Sequence, residues 1–209
     1  MKYLLYSITF LLFFSSCSEY QKVFKNEEIA PKYALGEKLY NQGDYKKAQN
    51  LFVQIVPNYR SGKAGAEKLM YMYGNTFYLL EDWNGAAYNL ERFTKAYSRS
   101  EKLEEMAFKS AKSNYYLSPK STLDQEDTEK AILKLQNFMN TYPKSDYLKE
   151  ASDLSLELNA KLEKKAYNIA KGYHTRISTG SQFGADYQAA IKVFDNFLNQ
   201  YPGTKYKEK

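Results

Sequence analysis

The feature that most constrains this chain is one spacing of residues that occurs four times without gaps. Each copy begins with Asp, Ala follows at offset 4, large apolar residues follow at offsets 8 and 11, and Tyr closes the copy at offset 15. The copies are Asp44 to Tyr59, Asp82 to Tyr97, Asp127 to Tyr142 and Asp186 to Tyr201. Steps of three and four residues follow one face of a helix. Such self-similarity predicts an array of stacked helical repeats.

The ends and the small residues of each copy indicate closely packed helices. The opening Asp is a suitable N-cap, because its carboxylate can accept the free amide hydrogens of the first turn. An Ala at the same place in every copy indicates a close crossing with a partner helix. Pro143 and Pro202 follow the closing Tyr of the last two copies, where proline cannot continue the helix.

A partner helix precedes each of the first two copies. The partner segments carry the pairs Leu35-Gly36, Leu39-Tyr40, Tyr73-Gly74 and Phe77-Tyr78. Gly36 and Gly74 each lie 12 residues before the Ala of the copy that follows. Glycine inside a helix costs ~1 kcal/mol, so we expect both glycines to contact the neighbouring helix.

The later copies are less regular. Ser118 to Asp127 forms a longer polar loop, and His174 to Phe183 splits the helix pair of the fourth copy. Between these segments, apolar residues from Tyr147 to Tyr173 step by three or four, which predicts one long helix of about twenty-five residues. A coiled-coil segment is the alternative, but two to three interior heptads are too few to favour it.

The N-terminus has the pattern of a secretory signal. Lys2 precedes an apolar run from Tyr3 to Phe14, and Ser15-Ser16-Cys17 follows. The run is too short to span a bilayer as a helix of ~20 residues. Ser15-Ser16-Cys17 resembles the bacterial lipobox, although Phe14 stands where Leu is usual. An incidental thiol in an uncleaved anchor, or an ordinary signal cut nearby, are the alternatives to a lipid on Cys17.

The polar stretch from Ser18 to Glu28 shows no helical periodicity apart from Val23-Phe24. We interpret it as a tether between the lipid and the folded part. The expected organisation is therefore a signal peptide over residues 1–16, the lipidated Cys17 and tether over 17–28, and a repeat domain over 29–209.

No arrangement of residues indicates catalysis, so we expect a protein that is not an enzyme. His174 is the only histidine, and lipidation of Cys17 would remove the only thiol. Glu104-Glu105 and Glu27-Glu28 are adjacent on a helix, where neighbours point about 100° apart, so they would not converge on a metal or a reacting atom. We expect no metal and no cofactor beyond the lipid on Cys17.

The formal charge of +6 is spread over Lys residues that stand beside Glu, as in the segment from Lys161 to Lys165. Such mixed charge usually marks a solvated helix face. Export removes the opportunity to bind nucleic acid, so we expect no nucleic-acid partner. A modest basic excess fits an anionic membrane surface better.

The Leu-Gly and Tyr residues of the first helices, with the Ala and aromatic residues of the second, resemble the tetratricopeptide repeat. The lipobox cysteine, the short tether and the connecting segments further resemble the BamD family of lipoproteins, over residues 29 to 209. The residues that carry this second resemblance are 123–132, Phe138, 142–147, Ala151, 161–170, Tyr173 and 201–204. Within them, Asp124-Gln125 to Thr128 is the most family-specific piece.

The resemblance implies an all-α fold, a right-handed superhelical array of about four tetratricopeptide-type helix pairs, the fourth with a long first helix. It implies a lipid-anchored scaffold of the outer-membrane β-barrel assembly machine, facing the periplasm, in a Gram-negative bacterium such as one of the Bacteroidetes. Its partners would be a BamA-like barrel subunit, other machine subunits and unfolded outer-membrane proteins. The family normally carries a further helix pair after Thr204; a shortened chain or a covering partner would explain its absence here.

Partner and precursor binding are expected on the face lined by first helices. The candidate residues are Tyr33, Glu37, Tyr40, Tyr71, Asn75 and Tyr78. An extended precursor would meet Tyr faces with its aromatics and polar side chains with its backbone. Each of these residues could equally serve packing between repeats. Residues around Ile191 to Gln200 are expected to hold the assembly partner.

Two other functions remain open. A repeat lipoprotein that coordinates peptidoglycan or division machinery, resembling CpoB-type proteins, would have partners in murein synthesis. A carbohydrate-binding lipoprotein like the SusD group also uses such repeats, but it normally needs a much longer chain.

Overall fold

The computed structural model describes residues 19–59, 62–178 and 187–207. Every regular element in these ranges is helical, and no strand occurs within them. The elements are α1 (19–25), α2 (Ile29–Asn41), α3 (Tyr45–Ile55), α4 (Ala66–Leu79), α5 (Trp83–Ala96), α6 (Leu103–Leu117), α7 (Glu126–Thr141), α8 (Leu148–Ser178) and α9 (Tyr187–Gln200). A short 3₁₀ turn, Val56–Asn58, follows α3. The all-helical fold is therefore confirmed, and the right-handed superhelical path stays a prediction.

The chain divides into two compact units after Ser113, at a point inside α6. In unit 1, α2 packs on α3 and α4 packs on α5, as the repeat spacing predicts. In unit 2, α8 packs against both α7 and α9.

The core of unit 1 is built from the residues that recur in the repeat. Ala48, Phe52 and Ile55 of α3 are buried, as are Ala86, Leu90 and Phe93 of α5. The two glycines of the first helices have the packing reason expected of them. A Cβ on Gly36 would lie 2.5 Å from the Phe52 ring, and one on Gly74 would lie 3.3 Å from Leu90. Glycine at these places therefore lets the paired helices approach each other.

The Asp that opens each repeat caps its helix in unit 1. The side chain of Asp44 accepts a hydrogen bond from the Lys47 amide at 3.2 Å, and that of Asp82 accepts one from the Gly85 amide at 3.0 Å. The same prediction is wrong for Asp127, which lies in the first turn of α7 because that helix begins at Glu126. Asp186 lies outside the described residues.

Residues 19–25 correct the expectation of an aperiodic tether. They form a helix, and Tyr20, Val23 and Phe24 pack against the core of unit 1 formed with α2 and α3. Val23 and Phe24 follow Tyr20 by three and four residues, a spacing that places all three side chains on one face of the helix. The signal peptide and Cys17 lie outside the described residues, and so the domain boundaries stay predictions.

The long helix of unit 2 is confirmed. It is α8, and its 31 residues exceed the predicted length. The expected split from His174 onward is wrong at its start, because the helix continues to Ser178. Since α7 and α9 both pack on α8, it serves as a repeat helix and not as a separate coiled coil. None of the described helices has the length and apolar character needed to cross a membrane.

Candidate functional site

The six predicted binding residues lie on the first helices of the two pairs in unit 1. Tyr33, Glu37 and Tyr40 belong to α2, and Tyr71, Asn75 and Tyr78 belong to α4. Together they define the first-helix surface. Each helix supplies residues at steps of three, four or seven, so each set follows one face of its helix.

Asn75 lies at the centre of this surface and is only 4% exposed. Its amide nitrogen donates to the Tyr40 hydroxyl at 2.6 Å. Its amide oxygen accepts from the Lys109 ammonium of α6 at 2.9 Å, and Lys109 also donates to Glu105 at 2.7 Å. Both ends of the amide are thus engaged within unit 1, and Asn75 holds α2, α4 and α6 in register.

The sequence pattern does not predict Glu105 and Lys109 as part of this site. They form an ion pair four residues apart on α6, with both side chains about one-fifth exposed, at 22% and 21%. Oppositely charged residues at this spacing usually lie on a solvated helix face, so the pattern does not indicate a partly buried site. Lys109 bonds to Asn75 and Glu105 accepts from Tyr71, so the pair supports the first-helix surface from α6.

The two central tyrosines remain neutral phenols at physiological pH. Burial raises the pKa of Tyr71 well above its ordinary value, and the nearby Tyr40 and Glu105 add to the shift. Burial also raises the pKa of Tyr40, against the effect of its hydrogen bond with Asn75. Tyr71 donates to Glu105 at 3.4 Å. The centre of the surface therefore offers hydroxyl groups and one carboxylate that is already paired.

The edges of the surface are more open. The Tyr33 hydroxyl donates weakly to the Gly65 carbonyl at 3.4 Å, and its ring lies 5.8 Å from that of Tyr59. Glu37 forms an ion pair with the exposed Lys68, and the hydrogen bond between them raises the pKa of Lys68.

Tyr78 marks the other edge. Its ring lies 5.6 Å from Trp83, and the Lys109 ammonium lies 5.4 Å above its centroid. Aromatic faces and paired charges at a helix surface are suited to noncovalent recognition of peptides. The role of all six residues in binding stays a prediction.

The segment from Asp124-Gln125 to Thr128, which is the most family-specific piece of the sequence, has a structural role in unit 2. Thr128 is fully buried and donates to Gln125 at 2.9 Å. Its hydroxyl oxygen lies 2.6 Å from that of Ser118, which must donate because the Thr128 hydrogen is already used. The Gln125 amide nitrogen lies 2.9 Å from the carbonyl oxygens of Lys120 and Leu123. This chain of bonds closes the loop between α6 and α7.

Two lysines of α8 fasten the same loop. Lys161 donates to the Ser118 hydroxyl at 2.7 Å, and Lys165 donates to the Leu123 carbonyl oxygen. Burial lowers the pKa of Lys161, while Glu157 acts in the opposite direction. The loop is therefore held by hydrogen bonds to the middle of the long helix. Among the described residues, no group of three or more His, Cys, Asp or Glu side chains could hold a metal ion.

Comparison with known protein families assigns the chain to one of them. The model of the family YfiO, described as an outer membrane lipoprotein, matches residues 26–209. No curated protein matches the chain. The family match covers every helix from α2 to α9 and is independent of Cys17, although it says nothing about the bacterial phylum, which stays a prediction. The chain therefore belongs to the YfiO family of outer membrane lipoproteins.

Proposed function

We propose that this protein is a non-enzymatic scaffold of the outer-membrane β-barrel assembly machine. In this proposal a lipid on Cys17 anchors it to the outer membrane with the repeat domain facing the periplasm. The observation that carries the proposal is the family match over residues 26–209, which spans both units. Its partners are a BamA-like barrel subunit, other subunits of the machine and unfolded precursors of outer-membrane proteins.

Precursor binding is assigned to the first-helix surface. An extended segment lies along α2 and α4, where the Tyr33 and Tyr78 rings at the edges contact its aromatic side chains. The ion pair between Glu37 and Lys68 opens to bind polar groups of the segment, since an exposed pair contributes little to stability. Asn75 acts indirectly, because its amide already bonds to Tyr40 and Lys109.

Depletion of the protein tests the proposal most directly. The expected result is simultaneous loss of many unrelated β-barrels from the outer membrane, measured by quantitative proteomics of isolated membranes. Loss of peptidoglycan or division defects with a normal set of barrels would instead support a repeat lipoprotein of the murein machinery.

A complementation experiment tests whether the first-helix surface is needed for this function. Re-expression of the wild type should restore the barrels. A double variant, Tyr33→Ala with Tyr78→Ala, should restore the protein level but only part of the barrels. Leu156→Ala, at a side chain of α8 that is 65% exposed, is the matched control and should behave as wild type.

The assembly partner is tested by affinity purification from membranes in mild detergent. A large β-barrel protein with periplasmic domains should copurify. Metabolic labelling with a radioactive fatty acid should label the wild type and not Cys17→Ser, because the proposed acyl chains are attached to that residue. Absence of label from the wild type, or equal labelling of the variant, would reject a lipid on Cys17.

A further inference from the structure

A groove of about 360 Å³ crosses the middle of α8 in unit 2, where the start of α7 and the end of α9 approach that helix. Its floor is formed by Leu162, Ala166 and Ile169, which follow one face of α8 at steps of four and three. Ile169 is 49% exposed, although it is a large apolar side chain. Exposed apolar surface inside a concave site commonly marks a place where another molecule binds.

The rim of the groove is acidic. Asp124, Glu126 and Glu129 come from the start of α7 and the residue pair before it, and all three are exposed. The Asp124 carboxylate accepts from the Glu126 amide at 2.9 Å, so Asp124 also has a local structural role. Glu126 and Glu129 make no comparable contact with the backbone among the described bonds, and their charges face the groove region.

The end of α9 adds to the negative potential on the opposite side. Gln200 and Tyr201 line the groove there, and the last turn of α9 carries no basic residue. The C-terminal end of a helix carries a partial negative charge and favours cations. Burial, followed by the carboxylates of Glu163 and Glu129, raises the pKa of Tyr201, which is consistent with a negative field at this place.

Among the described residues, only one basic residue lines the groove, and its ammonium group is hydrogen-bonded to the loop before α7. Lys165 donates to the Leu123 carbonyl oxygen and so closes the loop before α7. The groove thus combines an apolar floor with an acidic rim in a chain whose net charge is +6. The charge of the rim is complementary to a cationic ligand, and the floor is complementary to an apolar one.

We propose that this groove binds a segment of a partner protein in which Lys or Arg residues flank apolar side chains. The apolar side chains cover the stripe from Leu162 to Ile169, and a cationic side chain lies between the acidic rim and the end of α9. The groove belongs to unit 2, whereas the residues of the first-helix surface belong to unit 1. The inference rests on this geometry alone and stands or falls independently of a role in barrel assembly.

The start of α7 supplies a matched control. Carboxylates in the first turn also stabilise a helix through its dipole, and that role would apply equally to Asp127. Asp127 is exposed on the same turn as Glu126 but does not line the groove. Removing the charge of Asp127 should affect helix stability as much as removing that of Glu126. Only the loss of Glu126 and Glu129 should weaken binding.

The test uses the full-length protein in detergent and a fluorescein-labelled amphipathic peptide of Leu and Lys, a few helical turns long. A second peptide carries Glu in place of Lys. Fluorescence anisotropy, with detergent alone as the blank, should show binding of the Lys peptide, weaker binding at higher salt, and no binding of the Glu peptide. The double variant Glu126→Gln with Glu129→Gln should weaken binding by about tenfold, since each exposed charge pair contributes up to ~1 kcal/mol.

The control variant Asp127→Asn should change the affinity by less than about twofold. A photoreactive residue in place of Ile169 should crosslink to the Lys peptide, and one in place of the exposed Leu156 of the same helix should not. Three results would each overturn the proposal: equal loss of binding in Asp127→Asn, equal binding of both peptides, or crosslinking at Leu156 and not at Ile169.

Discussion

The two units close their helix hairpins at the same repeat position by different means. In unit 1 the residue after the opening Asp is aromatic, and its ring packs on the Tyr that stands one residue before the end of the preceding helix. The ring centroids of Tyr40 and Tyr45 are 5.6 Å apart, and those of Tyr78 and Trp83 are also 5.6 Å apart. In the third copy, which belongs to unit 2, the corresponding residue is Thr128, which closes a longer loop through hydrogen bonds to Gln125 and Ser118.

This difference shows what loop length demands of a repeat. A short turn brings two helix ends close enough for ring contact, and apolar packing then fixes the hairpin. The loop from Ser118 to Gln125 is exposed or half-buried up to Asp124, but Gln125 at its end is buried and needs partners, because a buried polar group without a hydrogen bond is costly. Unit 2 meets that need with a buried polar network, and it recruits Lys161 and Lys165 of the long helix to complete it.

The largest expected effect is on the packing of unit 1. Phe52→Ala should lower the free energy of unfolding by ~3–5 kcal/mol, because the fully buried ring would leave a cavity. Urea denaturation followed by circular dichroism measures it. The neighbouring Val53 is 51% exposed, so Val53→Ala is the control and should change stability by only a few tenths of a kcal/mol. A similar loss in both variants would contradict the assignment of the core.

The same pair of residues tests why glycine is needed on α2. Gly36→Ala alone should destabilise by ~1–3 kcal/mol, since its Cβ would lie 2.5 Å from the Phe52 ring. In the Phe52→Ala background the clash is absent, and the better helix propensity of Ala, worth ~1 kcal/mol, should make the change neutral or stabilising. Additive effects in this double-mutant cycle would show that the glycine serves some other purpose.

The polar closure of unit 2 should be disrupted by Thr128→Val, at a cost of ~1–3 kcal/mol, because the buried side-chain amide oxygen of Gln125 loses its donor and the Ser118 hydroxyl hydrogen loses its acceptor. Limited proteolysis should show faster cleavage between residues 118 and 125. Thr128→Ser keeps the hydroxyl and should retain the slow cleavage of the wild type. Equal cleavage of the Val and Ser variants would mean that the loop is held by other contacts.

Much of unit 1 could be predicted from the sequence because its residues act locally. The spacing alone placed α3 and α5, their buried Ala48 and Ala86, and the packed glycines. The helix at residues 19–25 was missed because its apolar face spans little more than one turn. Tyr20, Val23 and Phe24 were the available signal, but three residues are too few to define a period.

The candidate site was only partly predictable. The six tyrosine, glutamate and asparagine positions follow from the periodicity of α2 and α4, but Glu105 and Lys109 belong to a third helix. The contact of Lys109 with Asn75 and that of Glu105 with Tyr71 each bridge 34 residues in sequence, and no local pattern encodes them. The acidic groove of unit 2 likewise depends on α7 and α9 approaching one point of α8, which spacing along the chain does not reveal.

The contrast between Asp44 and Asp127 tests whether capping follows sequence or structure. Asp44→Ala should cost ~1 kcal/mol, because the Lys47 amide loses its acceptor. Asp127→Ala should cost only ~0.3 kcal/mol, the contribution of an exposed charge near the start of a helix. Thermal unfolding of both variants, with Asp44→Asn as the variant that preserves a capping oxygen, gives the comparison. Equal costs would place Asp127 at a true N-cap.

The smallest expected effect is on the free energy of unfolding at alkaline pH. Its pH dependence has opposite signs for Tyr71 in unit 1 and Lys161 in unit 2. Burial raises the pKa of Tyr71 above its ordinary value of 10.0, so above that pH the unfolded chain releases a proton that the folded chain keeps. The folded state then binds more protons, and the free energy of unfolding falls as the pH rises. Burial instead lowers the pKa of Lys161 below 10.5, so below that pH the unfolded chain binds more protons and stability rises with pH.

Replacing each residue isolates its contribution. Tyr71→Phe removes the hydroxyl and should flatten the loss of stability above pH 10, measured by urea denaturation at a series of alkaline pH values. Lys161→Met should leave that loss in place and instead remove the small rise that precedes it. Because Tyr40 is also buried and its pKa is also raised, Tyr71→Phe should flatten the curve only in part. A steeper alkaline loss in Tyr71→Phe than in the wild type would show that the Tyr71 phenol is not held neutral by its position between α2 and α6.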